Sequence, residues 1–181
     1  MALPPQKFRE IVFQLLYSHD MSKTNDDDML RLMMAELAVT KQIVTAAQTR
    51  MRAVIAHQSE IDDLIAAASL SYAFERIPSV ERNILRLGVF EMVFDKEVPP
   101  KAALAEAIRL ARKFSTPESA SFVNAILDNI YKSNHGIPVD QACLSKALES
   151  LSESEEIAEK AGQAQPPSIG IDDAEAEPPA K

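Results

Sequence analysis

The chain has 181 residues, 46% of them hydrophobic, which is enough to bury one sizeable core. Only four glycines, few aromatics and no alternating runs of Val, Ile and Thr exclude a β-rich fold, and the single cysteine excludes an internal disulfide. The net charge of −8 excludes a globally basic surface, so a site for RNA or DNA has to be a local patch.

Boundary signals predict about seven helices with short connections. Ser79 is a candidate N-cap, Pro99 and Pro100 open the next helix, and Thr116 followed by Pro117 is a helix start. The fold class is therefore all-α, a compact bundle or two packed sub-bundles. The predicted helices cover residues 5–19, 27–37, 40–57, 59–72, 80–95, 100–114 and 117–133.

The predicted helix over 80–95 is apolar around most of its circumference, which is typical of a central helix. Its polar exceptions include Glu81, Arg82 and Arg86, and the two arginines lie four residues apart on one face. This face is either solvated and held by a weak ion pair or available to a partner.

Basic residues bunch at the end of the helix over 100–114, next to hydroxyls at the start of the following helix. Lys113 precedes Ser115, Thr116 and Ser119, and the free N–H groups of a helix start can bind phosphate. The helix dipole alone is also a sufficient reason for cations at this position. Cations, hydroxyls and a helix start within about eight residues favour a nucleic-acid site.

Phe122 is expected at the rim of the last helix, because Val123, Ile126, Leu127 and Ile130 occupy the core positions and Phe122 lies about 100° away from Val123. A rim aromatic beside cations and hydroxyls can stack an unpaired base. The alternative is that Phe122 widens the apolar face.

The acidity is confined to the tail. Residues 1–135 hold 16 Lys and Arg against 17 Asp and Glu, whereas residues 136–181 hold 3 against 10. We therefore divide the chain into a helical domain over 1–135 and an acidic extension over 136–181. The extension has one marginal helix over about 139–161 and then a Pro- and acid-rich end that is expected to be disordered. It is either an inert tail or a competitor of RNA for the basic patch.

No catalytic or cofactor motif stands out. The three histidines are scattered without metal-ligand spacing, and there is no glycine-rich phosphate loop or nucleophile with a supporting base. The sequence therefore predicts a protein that is not an enzyme and has no cofactor or metal. It also has neither a signal peptide nor an apolar run of roughly 18 residues, so we expect a cytoplasmic protein without a membrane partner.

Several spaced segments resemble the NusB family of bacterial transcription antitermination factors. They are FREIVFQLLYSHD, ERIPSVERNILRLGVFEM, VPPKAALAEAIRLARKFS and FVNAILD, and the resemblance covers about residues 5 to 132. It implies a fold of two small helical bundles without catalysis. It also implies a heterodimer with NusE, a protein of the small ribosomal subunit, that binds the boxA element of ribosomal RNA operons and joins the antitermination complex on RNA polymerase.

The resemblance also implies two surfaces on this chain. The partner surface would use the exposed side of the helix over 80–95, at Glu81, Arg82 and Arg86. The RNA surface would use Lys7, Arg9, Tyr17, Lys113, Ser115, Thr116, Ser119, Phe122 and Asn124.

The alternative function is a protein-interaction scaffold or homodimer that does not bind RNA directly.

The start of the chain departs from the family pattern. Family members often begin with an arginine-rich segment, whereas this chain begins MALPPQKFRE, with only Lys7 and Arg9. Fewer phosphate contacts give weaker and less salt-dependent binding. We therefore expect the isolated protein to bind RNA poorly and to depend on its partner.

Overall fold

A computed structural model describes residues 3–21, 39–70, 72–139 and 141–163, with side chains described up to 160. This part of the chain forms seven α-helices and contains no strand, as the composition predicted. The helix expected over 27–37 lies outside the described residues. The helices are α1 (Pro5–Met21), α2 (Lys41–Ala56), α3 (Gln58–Ala68), α4 (Ser79–Val89), α5 (Pro100–Phe114), α6 (Pro117–Asn134) and α7 (Gln141–Gln163).

The helix starts that were predicted from prolines agree best with the structure. Pro100 and Pro117 are each the first residue of a helix, and the Thr116 side chain accepts a hydrogen bond from the Ser119 N–H as the N-cap. Ser79 was predicted as an N-cap, but the structure gives that position to Pro78, and Ser79 is the first helical residue. The helix predicted to begin at residue 59 begins at Gln58, and its N-cap is His57.

Two predicted helices end earlier than expected. The helix predicted to reach residue 72 stops at Ala68, and Leu70 beyond it has a φ of 54°. The helix predicted over 80–95 is α-helical only to Val89, after which Phe90–Phe94 form a single π-helical turn. Such a turn holds one residue more per turn than an α-helix and so changes the register of the side chains beyond it.

α4 is the central helix, as predicted, and packs against α1, α3, α5 and α6. Gly88 allows the close approach of α5, since a Cβ at this position would lie 3.1 Å from the Ala107 Cβ and 3.2 Å from a methyl of Leu127. Around this helix, α1 pairs with α2, and α5 pairs with α6. One core cluster connects all seven helices.

The extension beyond residue 135 docks on the bundle. Gly136, with a φ of +65°, ends α6, and α7 then packs back against α6. Leu144, Ala147 and Leu151 are buried in that contact. The helix that the sequence marked as marginal is therefore stabilised by tertiary packing.

Candidate nucleic-acid interface

A cluster of charged side chains joins the start of α1 to the end of α5. Glu10 is 6% exposed, and its two carboxylate oxygens accept from the Arg109 guanidinium at 2.8 Å and from the Lys113 ammonium at 2.8 Å. The Lys7 ammonium lies 3.5 Å from the same oxygen that Lys113 contacts. Lys7 and Lys113, which are distant in sequence, thus meet at one carboxylate.

Arg109 ties this cluster to a second carboxylate and to the backbone of α1. Its Nε donates to Glu106 at 3.0 Å, and another of its nitrogens donates to the Gln6 carbonyl at 3.1 Å. Burial favours protonation of Glu10, but hydrogen bonds from Lys113 and Arg109 outweigh it and lower the pKa of this carboxyl below its usual value. Glu10 is therefore ionised at neutral pH.

Tyr17 is connected to this cluster through aromatic rings. It is partly exposed and its ring centroid lies 6.3 Å from that of Phe13, which in turn lies 4.9 Å from that of Phe114. The Lys113 ammonium lies over the Phe114 ring at 5.5 Å from its centroid. Tyr17 and Lys113 thus lie at the two ends of one series of aromatic contacts.

The Arg9 side chain does not join this cluster and pairs with Glu91 instead. Its guanidinium donates to both oxygens of Glu91, at 2.8 and 3.0 Å, and its side chain is only 15% exposed. Burial raises the pKa of Glu91, although Arg9 opposes this shift. The prediction that Arg9 is free for RNA is therefore wrong, because this residue neutralises a buried carboxylate of the π-helical turn.

The hydroxyls at the start of α6 mostly bond within the protein. Thr116 caps the helix through the Ser119 N–H at 3.2 Å, and the Ser115 hydroxyl donates to Glu81. Ser119 is 4% exposed, so its predicted contact with phosphate is wrong, because the capping turn folds it inward. Thr116 is exposed and Ser115 is half-buried, so both still border the surface.

Phe122 is completely buried, which overturns its predicted place at the rim. Its ring lies 5.8 Å from that of Tyr72, and its exposure is 0%. The expectation of a four-position apolar face was wrong because α6 is covered by α5, α4, α3 and α7 and so buries a wider sector. The ring is therefore not available to stack on an RNA base.

A surface groove runs between α5 and α6 and includes one predicted residue, Asn124. It has a volume of about 610 Å³. Arg112 and Asn124 are exposed on it. Arg112 was not among the predicted RNA contacts, and its signal was the run of basic residues ending at Lys113. The groove is lined by Ile108, Arg112, Pro117, Ala120, Ser121 and Asn124.

The predicted partner face of α4 is largely internal. Glu81 is 2% exposed and Arg86 is 6% exposed, so neither lies on an exposed side of the helix, and that expectation was wrong. Arg86 donates to both oxygens of Asp62 at 2.8 Å and lies 3.3 Å from Asp20. These carboxylates compensate the burial of its charge.

Arg82 is the member of this set that retains access to solvent. It donates to Asp20 at 3.0 Å with 21% of its side chain exposed, and its guanidinium lies 5.9 Å from the centre of the Phe74 ring. Burial raises the pKa of Asp20, but hydrogen bonds from Arg82 and Asn83 lower it overall. Of the predicted partner face, Arg82 alone keeps access to solvent, and together with Phe74 it forms an edge at this end of α4.

Within the described ranges, no group of three or more His, Cys, Asp or Glu side chains could hold a metal ion. None of the helices described is both long enough and apolar enough to cross a membrane.

Comparisons with known proteins agree on one family. The family model described as NusB matches residues 6–132. The chain is 36% identical over 128 residues to the transcription antitermination protein NusB of Chlamydia pneumoniae, which covers 71% of this chain and 80% of that protein. It is 33% identical over 132 residues to the NusB of Dehalococcoides mccartyi strain CBDB1, covering 73% and 92%.

Solved structures give the same result. T. maritima NusB superposes with a TM-score of 0.64 at 29% identity, covering 80% of this chain and 99% of that one. A crystal structure of the antitermination factors NusB and NusE in complex with dsRNA contains a chain that matches with a TM-score of 0.61 at 29% identity, covering 71% and 96%. The family match ends within α6, so α7 lies beyond it.

Proposed function

Because the chain belongs to the NusB family, we propose that it is a transcription antitermination factor that binds boxA RNA of ribosomal RNA operons together with NusE. The solved complex of a similar chain with NusE and RNA supports the pairing of these partners. The role is one of binding, without catalysis, in the cytoplasm and within the antitermination complex on RNA polymerase.

The observation that carries the RNA part of this proposal is the meeting of Lys7 and Lys113 at one place on the surface. Their side chains are 42% and 48% exposed, so phosphate can reach both ammonium groups. Together with Arg112 they supply a local positive patch on a chain whose total charge is negative. The patch is small, so we expect the protein alone to bind RNA weakly.

Exposed and partly exposed residues near this patch supply the rest of the proposed RNA site. Tyr17 offers a partly exposed ring for base contact, and Thr116 and Asn124 offer polar groups around the start of α6. Ser115 borders the same surface. Ser119 and Phe122 are buried and Arg9 is directed to Glu91, so the proposed RNA contacts leave out all three.

The NusE contact lies, in this proposal, at the edge of α4 around Arg82 and Phe74. Arg86 lies 5.8 Å from the centre of the Phe74 ring and is held by Asp62, whereas Glu81 accepts a hydrogen bond from Ser115. An interface core enriched in arginine and aromatic residues is typical of protein–protein contacts.

Titrations with NusE and with boxA RNA, separately and together, test the proposal. We expect the ternary complex to bind RNA most tightly and to discriminate against a scrambled RNA. Lys113→Gln should weaken RNA binding several-fold, whereas Arg52→Gln, a matched change at an exposed arginine of α2, should not. Binding of NusE without any effect on RNA would instead support the scaffold alternative.

A further inference from the structure

Glu10 occupies the place where the candidate RNA-binding cations converge. Its Oε2 lies 2.8 Å from the Lys113 ammonium and 3.5 Å from that of Lys7, and its Oε1 accepts from Arg109. One carboxylate thus contacts three cations from two helices. A phosphate oxygen that approaches Lys113 encounters the Glu10 carboxylate, which has the same sign of charge and also accepts hydrogen bonds from ammonium groups.

We infer that Glu10 is a built-in competitor of RNA phosphate, a counter-charge that holds Lys7 and Lys113 together and at the same time lowers their affinity for RNA. This inference rests on the proposed RNA-binding function. It assigns a role to a residue that does not belong to the predicted RNA or partner sites.

The electrostatics of the cluster support this role. Within the cluster, Lys7, Arg109 and Lys113 face Glu10 and Glu106, so three positive charges are opposed by two negative ones. Since the pKa of Glu10 is lowered, its charge is present throughout the neutral range. Two like charges about 4 Å apart repel by about 1 kcal/mol in water and by more near a protein surface, so the competition reduces affinity measurably.

Burial makes the competition persistent. A freely exposed carboxylate could rotate into water when phosphate arrives, but Glu10 is 6% exposed and receives Arg109 on its other oxygen. Arg109 is itself held by Glu106 and by the Gln6 carbonyl. The carboxylate therefore stays beside Lys113 while RNA binds.

Glu10→Gln tests this inference, because glutamine keeps the size of the side chain and removes its charge. We expect RNA affinity of the protein, alone and with NusE, to rise several-fold at low salt. The slope of log K against log salt should also steepen, by about 0.7 for each additional phosphate contact on a single strand. Glu10→Asp retains the charge and should leave the salt slope near that of the wild type.

Two controls separate charge from structure. Glu60→Gln removes the same charge from the exposed surface of α3 and should change neither affinity nor slope. Thermal unfolding and circular dichroism show whether Glu10→Gln keeps the fold; should it not, Glu10→Gln is combined with Arg109→Gln, which removes the buried pair as a whole, and is compared with Arg109→Gln alone. In that comparison, equal or weaker RNA affinity of the double variant would overturn the inference.

Unchanged or weaker RNA binding by a folded Glu10→Gln protein would overturn the inference and leave the proposed function intact. Absence of RNA binding by the wild type with NusE present would overturn the proposed function itself. The two failures are therefore distinguishable.

Discussion

Tyr72 donates a hydrogen bond from its hydroxyl to the carboxylate of Glu155, with oxygen–oxygen distances of 3.1 and 3.2 Å. Tyr72 lies within the region that matches the family model, whereas Glu155 lies on α7, beyond it. Because the Tyr72 ring also packs on Phe122, this bond connects the added helix to the core of α6.

The Tyr72–Glu155 contact should make stability depend on alkaline pH. Burial and the nearby Glu155 raise the pKa of Tyr72 to about 12, above its ordinary value of 10.0. The neutral phenol is thus favoured in the folded state, so its contribution is complete below pH 10 and is lost as pH rises towards 12. We expect a loss on the order of 1–2 kcal/mol, reduced by the partial exposure of Glu155.

Tyr72→Phe removes the titrating group and is the matched comparison. Between pH 9 and 12, the difference in unfolding free energy between wild type and variant should shrink, and tyrosinate absorbance should reveal one hydroxyl that ionises late. A constant difference across this range would contradict the expectation.

Leu144→Ala should release α7 without unfolding the rest of the protein. Leu144 is 1% exposed, so truncation removes apolar contacts with α6 worth about 2–5 kcal/mol in a packed core. Hydrogen exchange should speed up across α7 and remain slow in α4. Ile157→Ala is the control on the same helix, since Ile157 is 68% exposed and its truncation should leave exchange unchanged. Faster exchange across the whole chain would show that α7 and the bundle unfold as one unit.

Phe122→Ala should cost stability and spare RNA specificity. A fully buried aromatic leaves a cavity on truncation, and the usual cost is about 3–5 kcal/mol. Denaturant unfolding should show this loss, and Phe122→Leu should show a smaller one. At temperatures where the variant is folded, its preference for boxA over a scrambled RNA should equal that of the wild type. A selective loss of boxA binding by a folded Phe122→Leu protein would restore a direct role for this ring.

Gly88→Ala should destabilise the contact between α4 and α5. The added methyl would lie 3.1 Å from the Ala107 Cβ, and overpacking of this kind typically costs about 1–3 kcal/mol, against a gain of about 1 kcal/mol in helix propensity. Ala107→Gly in the same protein should recover part of the loss by making room. Equal stability of the wild type and Gly88→Ala would show that the two helices can move apart.

The sequence predicted α5 to the residue, because proline at a helix start and the apolar periodicity agree there. The place of Phe122 could not be predicted in the same way. Its burial depends on contacts of α6 with several other helices and on the ring of Tyr72, which are remote in sequence. Local spacing shows which side of a helix is apolar but not how many neighbours cover it.

The candidate site shows the same limit. Lys113 was found from a local pattern and Tyr17 from the family resemblance, and both have access to solvent, whereas Arg9 was misassigned because its partner Glu91 comes from a helical turn 82 residues away. Glu10 was missed because its contacts are also remote in sequence. Only the tertiary structure shows that its carboxylate contacts cations of both α1 and α5. Charge pairing between helices is a property of the tertiary fold.

The π-helical turn at Phe90–Phe94 accommodates one residue more than an α-helical turn would. The turn sets the directions in which Glu91 meets Arg9, Asp95 meets Arg50, and the Phe94 ring stacks at 4.5 Å on that of His57. Deleting a single residue within the turn and restoring α-helical winding would leave the residues beyond it pointing in nearly the same directions, because the extra residue is lost together with the wider turn. A one-residue deletion should therefore be tolerated better here than within α4, and a relative that is one residue shorter at this point can still direct the following residues towards α1 and α2.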